Sequence, residues 1–219
     1  MKIQWIDSPT ERTTAATDAL IAVLAAGAAL SLYTSYAQGP HPFKVGVWTA
    51  AFGLLAAASL LGALAHGFTM SARTYRLFWQ PLNLALGLVI ALFAVGVIYD
   101  LWGPAAARAA LPFLLGVGIL FYAITVFKAG TFLVFIAYEA AAMLFALGGY
   151  IYLGLQGSLP GAWWMTAGVL VTIFAAVIQA MGRARLRLIW QFDHNGVFHL
   201  VQMPGILLLW VGLAQALGG

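Results

Sequence analysis

The sequence predicts an all-α integral membrane protein, a single bundle of seven transmembrane helices over residues 1–219. The chain is 63% hydrophobic and only 7% charged, a composition that ordinary soluble domains do not have. It also contains repeated apolar runs of about 20 residues or more, each long enough to cross a hydrocarbon core of roughly 30 Å as a helix. Helices are favoured over a barrel because the runs are about twice as long as a barrel strand and lack its alternating pattern.

Seven apolar segments follow one another along the chain, separated by short polar connections. The first comes after a polar stretch of mixed charge and is too long for the apolar core of a signal peptide, so we expect an uncleaved first span. The spans are rich in Ala and Gly, which let helices approach closely in lipid. The approximate bounds of the seven predicted spans are about 14–36, 45–70, 76–101, 105–127, 130–155, 161–182 and 194–217.

The basic residues predict the orientation of the bundle. Short connections make consecutive helices antiparallel, so the loops alternate between the two sides of the membrane. The side of the N-terminus carries eight Lys and Arg and the other side two, which predicts a cytoplasmic N-terminus and an external C-terminus. We expect the protein in a bacterial inner (plasma) membrane. The eight are Lys2, Arg12, Arg73, Arg76, Lys128, Arg183, Arg185 and Arg187, and the two are Lys44 and Arg108.

Composition also narrows the chemistry and the partners. The chain has no cysteine, which excludes disulfides, thiolate nucleophiles and Cys-ligated metal sites. The net charge of +4 is explained by the basic loops, so no nucleic-acid partner is expected. The expected partners are membrane lipids and a lipid-like substrate.

Three histidines are predicted to converge at one end of the bundle. His66 lies near the inner end of the second segment, and His194 and His199 lie at the inner start of the seventh. Imidazole is the commonest metal-ligating side chain, and three His with an open fourth position form a standard catalytic zinc shell. Five residues of α-helix would separate His194 from His199 by about 140°. If the helix begins near Asn195, His194 lies on the incoming loop and can swing towards His199.

Other polar residues within the spans are candidate catalytic groups. Ser59 lies about two helical turns from His66 on the same face and is a candidate donor to a substrate carbonyl. Glu139 lies well inside the fifth segment, where a carboxyl group must be protonated or paired, and it is a candidate proton carrier. Asp193 either caps the seventh helix or orients a ligand histidine. Asp18 is explained by the dipole at the start of the first helix.

The pattern of seven helices, a His at the inner end of the second and paired His at the start of the seventh resembles the superfamily of alkaline ceramidases and progestin and adiponectin receptors. The resemblance implies a zinc-dependent hydrolase of lipid amides, or a relative of one. Under it His66 and His199 match the metal ligands, and His194 matches the third with a shift of one residue. Ser59 lies two turns rather than one from His66, and Gln80 or Asn83 stands where the superfamily has Asp.

The first functional hypothesis is therefore an intramembrane hydrolase of a lipid amide or ester, with zinc held by His66, His194 and His199. In this hypothesis Ser59 helps to hold the oxyanion, and Asn83 or Glu139 positions the water or carries a proton. Three alternatives remain open at this point. They are a receptor or binding protein on the same scaffold, a haem-binding cytochrome with His66 and one of the other two as axial ligands, and a proton-linked transporter that uses Glu139.

Overall fold

The computed structural model describes residues 4–127 and 132–218, and this part of the chain is mostly helical. Six of its helices are long and apolar enough to cross a membrane, so the protein is a helical membrane protein, as predicted. The helices are α1 (Pro9–Tyr36), α2 (Pro42–Gly67), α3 (Ala72–Phe127), α4 (Phe132–Leu155), α5 (Ala162–Met181) and α6 (His194–Gly218).

Local capping moves some helix ends away from the predicted bounds. α1 begins before the apolar run because Pro9 occupies its first turn and the Ser8 hydroxyl accepts a hydrogen bond from the Glu11 backbone N–H at 3.4 Å. α5 ends at Met181, and the capping residue after it, Gly182, has a φ of 62° in the left-handed region that favours glycine at a helix C-terminus.

The predicted third and fourth segments form one interrupted helix, α3, which accounts for six helices rather than seven separate segments in the described residues. Gly103 breaks α3 with φ 82° and ψ −178°, and Pro104 follows it. The two halves fold back on each other, because a Cβ on Gly87 would lie 2.7 Å from the carbonyl oxygen of Gly118. In a straight helix, 31 residues would separate these glycines by about 46 Å.

The helices form a closed ring. Each packs against the next in sequence, and α6 returns to pack against α1. Two antiparallel ladders of two-residue strands, β1 (Gln4–Trp5) with β2 (Phe68–Thr69) and β3 (Leu186–Arg187) with β4 (Gln191–Phe192), lie at one end of this ring. We call it the N-terminal end of the bundle, since α1 and α6 begin there and α2 ends there.

A buried ion pair lies at the opposite end. The Lys44 ammonium is 2.5 Å from the Asp100 carboxylate, and both side chains are only 2% exposed. The Tyr150 hydroxyl donates a second hydrogen bond to Asp100 at 3.2 Å. The sequence predicted Lys44 to be a loop residue, whereas the structure places it in the first turn of α2, where the Asp100 carboxylate neutralises its charge.

Parts of the predicted topology fall outside the described residues. These are the charges of Lys2 and Lys128 and the first two residues of the predicted span 130–155.

Candidate functional site

A pocket of about 510 Å³ lies at the centre of the ring, and every one of the six helices contributes to its lining. Its polar side chains lie towards the N-terminal end of the bundle. Asp18 is the tenth residue of α1, His66 the last but one of α2, Glu139 the eighth of α4 and His199 the sixth of α6. At 1.5 Å per residue, all four lie within about 14 Å of that end. Further along the helices the lining is apolar, with Trp48, Phe52, Phe93, Ile206 and Leu209.

His199 is held by α1 in a defined tautomer. Its Nδ1 lies 2.9 Å from the Thr17 hydroxyl oxygen. The Thr17 hydroxyl donates to backbone carbonyls one turn earlier, at 2.9 and 3.0 Å, so its oxygen accepts the hydrogen bond from His199 Nδ1–H. The Nε2 atom of a neutral His199 therefore carries the lone pair.

Asp18 faces this second nitrogen. Its Oδ1 atom is 3.4 Å from His199 Nε2, and both residues are buried and line the pocket. Neither a lone pair nor a carboxylate can donate a hydrogen bond, so attraction between them requires one proton, carried by either group. The pair can take up or release a proton at the wall of the pocket.

Gly62 of α2 provides the space that Asp18 occupies. A Cβ on Gly62 would lie 2.8 Å from Asp18 Oδ2 and 3.0 Å from its carboxyl carbon. The carboxyl group therefore sits in the gap left by the missing side chain, one turn before His66. Asp18 thus contacts α2 and α6 from its position on α1.

His66 is anchored in a similar way by the start of α1. Its Nδ1 is 2.7 Å from Glu11 Oε2, an acceptor, so Nδ1 carries the hydrogen and Nε2 is the remaining nitrogen. The His66 ring meets the Trp79 ring edge to face at 5.7 Å. His66 and His199 thus each have Nδ1 engaged by α1 and both line the pocket. A hydrogen-bonded Nδ1 is the arrangement that orients ligating histidines in metal sites.

His194 is not among the described residues that line the pocket, whereas the other five predicted site residues are: Ser59, His66, Asn83, Glu139 and His199. α6 begins at His194, the first residue of the predicted span, because the Asp193 carboxylate accepts the Gly196 backbone N–H at 3.0 Å. Asp193 also accepts from the Thr14 hydroxyl at 3.1 Å. Asp193 is therefore a helix cap, and His194 belongs to the helix rather than the loop.

No group of three His, Asp or Glu side chains in residues 4–127 and 132–218 is arranged to hold one metal ion. The lining offers two histidines and two acids rather than the three-histidine shell. Zinc held by His66, His194 and His199 therefore stays a prediction.

Two residues of the site were missed from the sequence. Asp18 was assigned to the helix dipole, but the tenth residue of a helix lies beyond the first turn, where that effect acts. Its spacing from Thr14 and Thr17 was the available signal, since these three share one face. Gln202 lies three residues after His199 on α6 and also lines the pocket.

The fold and the pocket define a class: a helical membrane protein with a small-molecule-sized pocket inside its helix ring. The chain belongs to a family of unknown function (DUF6962), whose sequence profile matches residues 13–217 and so spans α1 to α6. Neither the curated proteins nor the solved structures include a match to the chain. The resemblance to the ceramidase and receptor superfamily is not tested by these comparisons.

The space at Gly62 leads to the first prediction. Gly62→Ala should lower the unfolding temperature in detergent, followed by tryptophan fluorescence, because its Cβ meets the Asp18 carboxylate. Gly53→Ala on the same helix is the matched control, since its Cβ meets nothing within 4 Å. That control should be neutral or up to about 1 kcal/mol more stable. Asp18→Ala removes the carboxyl group that the new Cβ meets. Asp18→Ala should therefore lower the unfolding temperature less in the Gly62→Ala background than in the wild type. Equal decreases would contradict the placement of Asp18.

Proposed function

We propose that the protein is an intramembrane binding protein for an amphiphilic, lipid-like small molecule. The observation that carries this proposal is the central pocket, which has a polar end beside Asp18, His66 and His199 and an apolar remainder. Binding sites for small molecules are typically concave, mostly apolar and equipped with a few placed polar groups. A ligand with a polar head and a hydrocarbon tail matches this division.

The size of the pocket supports a ligand rather than a packing defect. A volume of about 510 Å³ falls within the range of roughly 300–1,000 Å³ that ligand sites occupy. Packed cores contain few voids larger than a water molecule. The polar residues around this space also contrast with empty engineered cavities, which are apolar.

We further propose seven membrane crossings, with the N-terminus in the cytoplasm of a bacterial cell and the C-terminus outside. The two halves of α3, before and after Gly103, would each cross the membrane once. The orientation follows from basic side chains: six of those described lie on the loops or helix ends of the N-terminal side, and two on the other. A bundle of apolar helices fits an inner membrane, since bacterial outer-membrane proteins are barrels.

The absence of native cysteine allows a direct test of this topology. Single cysteines at Gln38 and Ala105 should react with an impermeant maleimide in intact cells, because both follow an odd number of crossings. Cysteines at Ser71 and Ala184 should react only after permeabilisation. Separate crossing by the two halves of α3 would be ruled out if the Ala105 cysteine reacted only after permeabilisation, as the Ser71 cysteine should, or did not react under either condition.

The binding proposal is tested by filling the pocket. Val89 lines it, and Val89→Trp should weaken saturable binding of a dansyl-labelled long-chain alcohol by about tenfold or more, the factor that corresponds to 1.4 kcal/mol. Leu77→Trp on the same helix is the control, since Leu77 is 65% exposed on the outer surface of the bundle. This control should bind like the wild type.

Binding would be measured in nanodiscs, with excess unlabelled alcohol defining the saturable component. Both variants should unfold at temperatures close to that of the wild type. Saturable binding that survives Val89→Trp, or that is absent from the wild type, would count against an amphiphile in this pocket.

Hydrolysis of a lipid amide or ester is the second candidate, favoured by the Asp18–His199 pair in the same pocket as Ser59. In such a reaction the Asp18–His199 pair starts without a proton between its members, the oxygen of a water molecule attacks the carbonyl carbon, and His199 Nε2 takes the proton of the water. The proton then goes to the leaving alcohol or amine. The imidazolium formed in between faces the Asp18 carboxylate, which stabilises its charge.

His199→Asn should therefore lower the turnover of a long-chain ester by about 10²–10⁴-fold, the typical contribution of a general base. His41→Asn is the matched control, because His41 lies at the opposite end of the bundle, 3.1 Å from the Tyr99 hydroxyl. If the wild-type protein binds the alcohol probe but hydrolyses neither ester nor amide, the hydrolase hypothesis is wrong and the binding proposal stands.

The same purified samples test the zinc and haem hypotheses. Zinc at about one ion per chain that is lost in His66→Ala and His199→Ala but kept in His41→Ala would support a metal centre at the pocket. Loss in His194→Ala as well would support the three-histidine set. A visible Soret band would instead support haem.

A further inference from the structure

The acids and bases of the chain are distributed unevenly around the pocket. The chain has ten Lys and Arg and six Asp and Glu. Two of the six acids, Asp18 and Glu139, line the pocket, whereas no Lys or Arg lines it in the part of the chain that the structure describes. A protein with an excess of basic residues therefore presents carboxyl groups to its central pocket.

Glu139 differs from the other five acids in having no partner within residues 4–127 and 132–218. Asp7 pairs with Arg12, Glu11 with His66, Asp18 with His199 and Asp100 with Lys44, and Asp193 caps α6. Glu139 has no hydrogen bond or ion pair with any described residue. The neighbouring Tyr138 hydroxyl is engaged elsewhere, since it donates to the Gly87 carbonyl at 3.1 Å. An uncompensated carboxylate inside a membrane protein is costly.

A buried acceptor on a second residue of the pocket lining, Gln202, also lacks a donor in the described part of the chain. Gln202 Oε1 is buried and has no hydrogen-bond partner among the described residues. Its amide orientation is defined by Thr172, whose hydroxyl donates to the Gly168 carbonyl at 2.9 Å and accepts from Gln202 Nε2 at 3.2 Å. The amide oxygen is therefore the free group. The unsatisfied groups Glu139 and Gln202 Oε1 both require a hydrogen-bond donor.

Aromatic rings accompany the carboxyl group. Phe135 lies one turn before Glu139 on α4 and lines the pocket beside Phe121, with the two ring centroids 5.5 Å apart. Ring faces attract positive charge, so aromatic side chains in the same pocket as an unpaired carboxyl group favour an organic cation as the ligand.

We propose that the ligand of this pocket is an amphiphile with a protonated amine, and that its ammonium group pairs with Glu139. This inference rests on the proposed binding function and specifies the class of ligand. An ammonium group offers three N–H donors and one positive charge. It would supply both to the unpaired carboxyl group of Glu139. A fatty-acid carboxylate would instead meet two acids, and no Lys or Arg among the described residues of the lining.

The test uses a long-chain primary amine, alcohol and carboxylate of equal chain length, each competing with the dansyl-labelled alcohol for wild-type protein in nanodiscs. The amine should bind about tenfold or more tightly than the alcohol, in line with a hydrogen bond to a charged group. The carboxylate should bind most weakly. Glu139→Gln should lower amine affinity by about tenfold more than it lowers alcohol affinity, so that the preference for the amine is lost.

Asp7→Asn is the matched control, because it also removes one negative charge but lies on an exposed side chain. It should keep the preference for the amine. Glu139→Asp, which retains the charge, provides a second variant if Glu139→Gln does not fold, and it should also keep the preference.

The outcomes separate the two proposals. Equal competition by amine and alcohol in the wild type, or an amine preference that persists in Glu139→Gln, would overturn the amine ligand while leaving the binding function in place. Failure of every amphiphile to compete would remove the binding function itself.

Discussion

The contact of the Asp18 carboxyl group with Gly62 and His199 is the interaction on which the arrangement of the pocket depends. It joins α1, α2 and α6 within about 14 Å of one end of the bundle. Lipid offers a carboxyl group no hydrogen bonds, so Asp18 must find its partners inside the ring. Thr17 and Glu11 on the same helix fix the two histidines. α1 therefore orients one side of the pocket, although it brings no histidine of its own.

The two ends of the bundle treat buried charge differently. At one end, the Lys44–Asp100 pair and the Tyr150 hydroxyl satisfy each other, and both charged side chains are 2% exposed. At the other, Glu139 lines the pocket and the Gln202 amide oxygen is buried, both without partners in the described residues. Since the same fold pairs one acid completely, the incomplete pairing of the other is a local feature. This contrast distinguishes a structural ion pair from groups available to a ligand.

The sequence predicted the helices well because apolar length alone identifies a membrane span. His66 and His199, which were predicted to converge, both line the pocket. It did not predict the long α3, because the break at Gly103 depends on a single φ of 82° that no hydropathy pattern contains. His194 was grouped with His199 on the assumption of a later helix start. The Asp193 cap places both in α6, where five residues separate their directions by about 140°. Whether a side chain faces the pocket depends on the rotation of its helix about the helix axis. The charges and the spacing of residues in the sequence do not determine this rotation.

Under the binding proposal, a ligand that pairs with Glu139 would also couple binding to the stability of the fold. A ligand that binds only the folded protein raises its free energy of unfolding. Once the ligand concentration exceeds the dissociation constant, the increase grows with the logarithm of the ratio of the two. The carboxyl group of Glu139 belongs to α4, while Gln202 belongs to α6, so a ligand that contacts both would join helices that are not neighbours in the ring. The packing of α4 against α3 and α5 alone leaves that connection unmade. The pocket is therefore the place where a bound molecule has the most to add to the cohesion of the bundle.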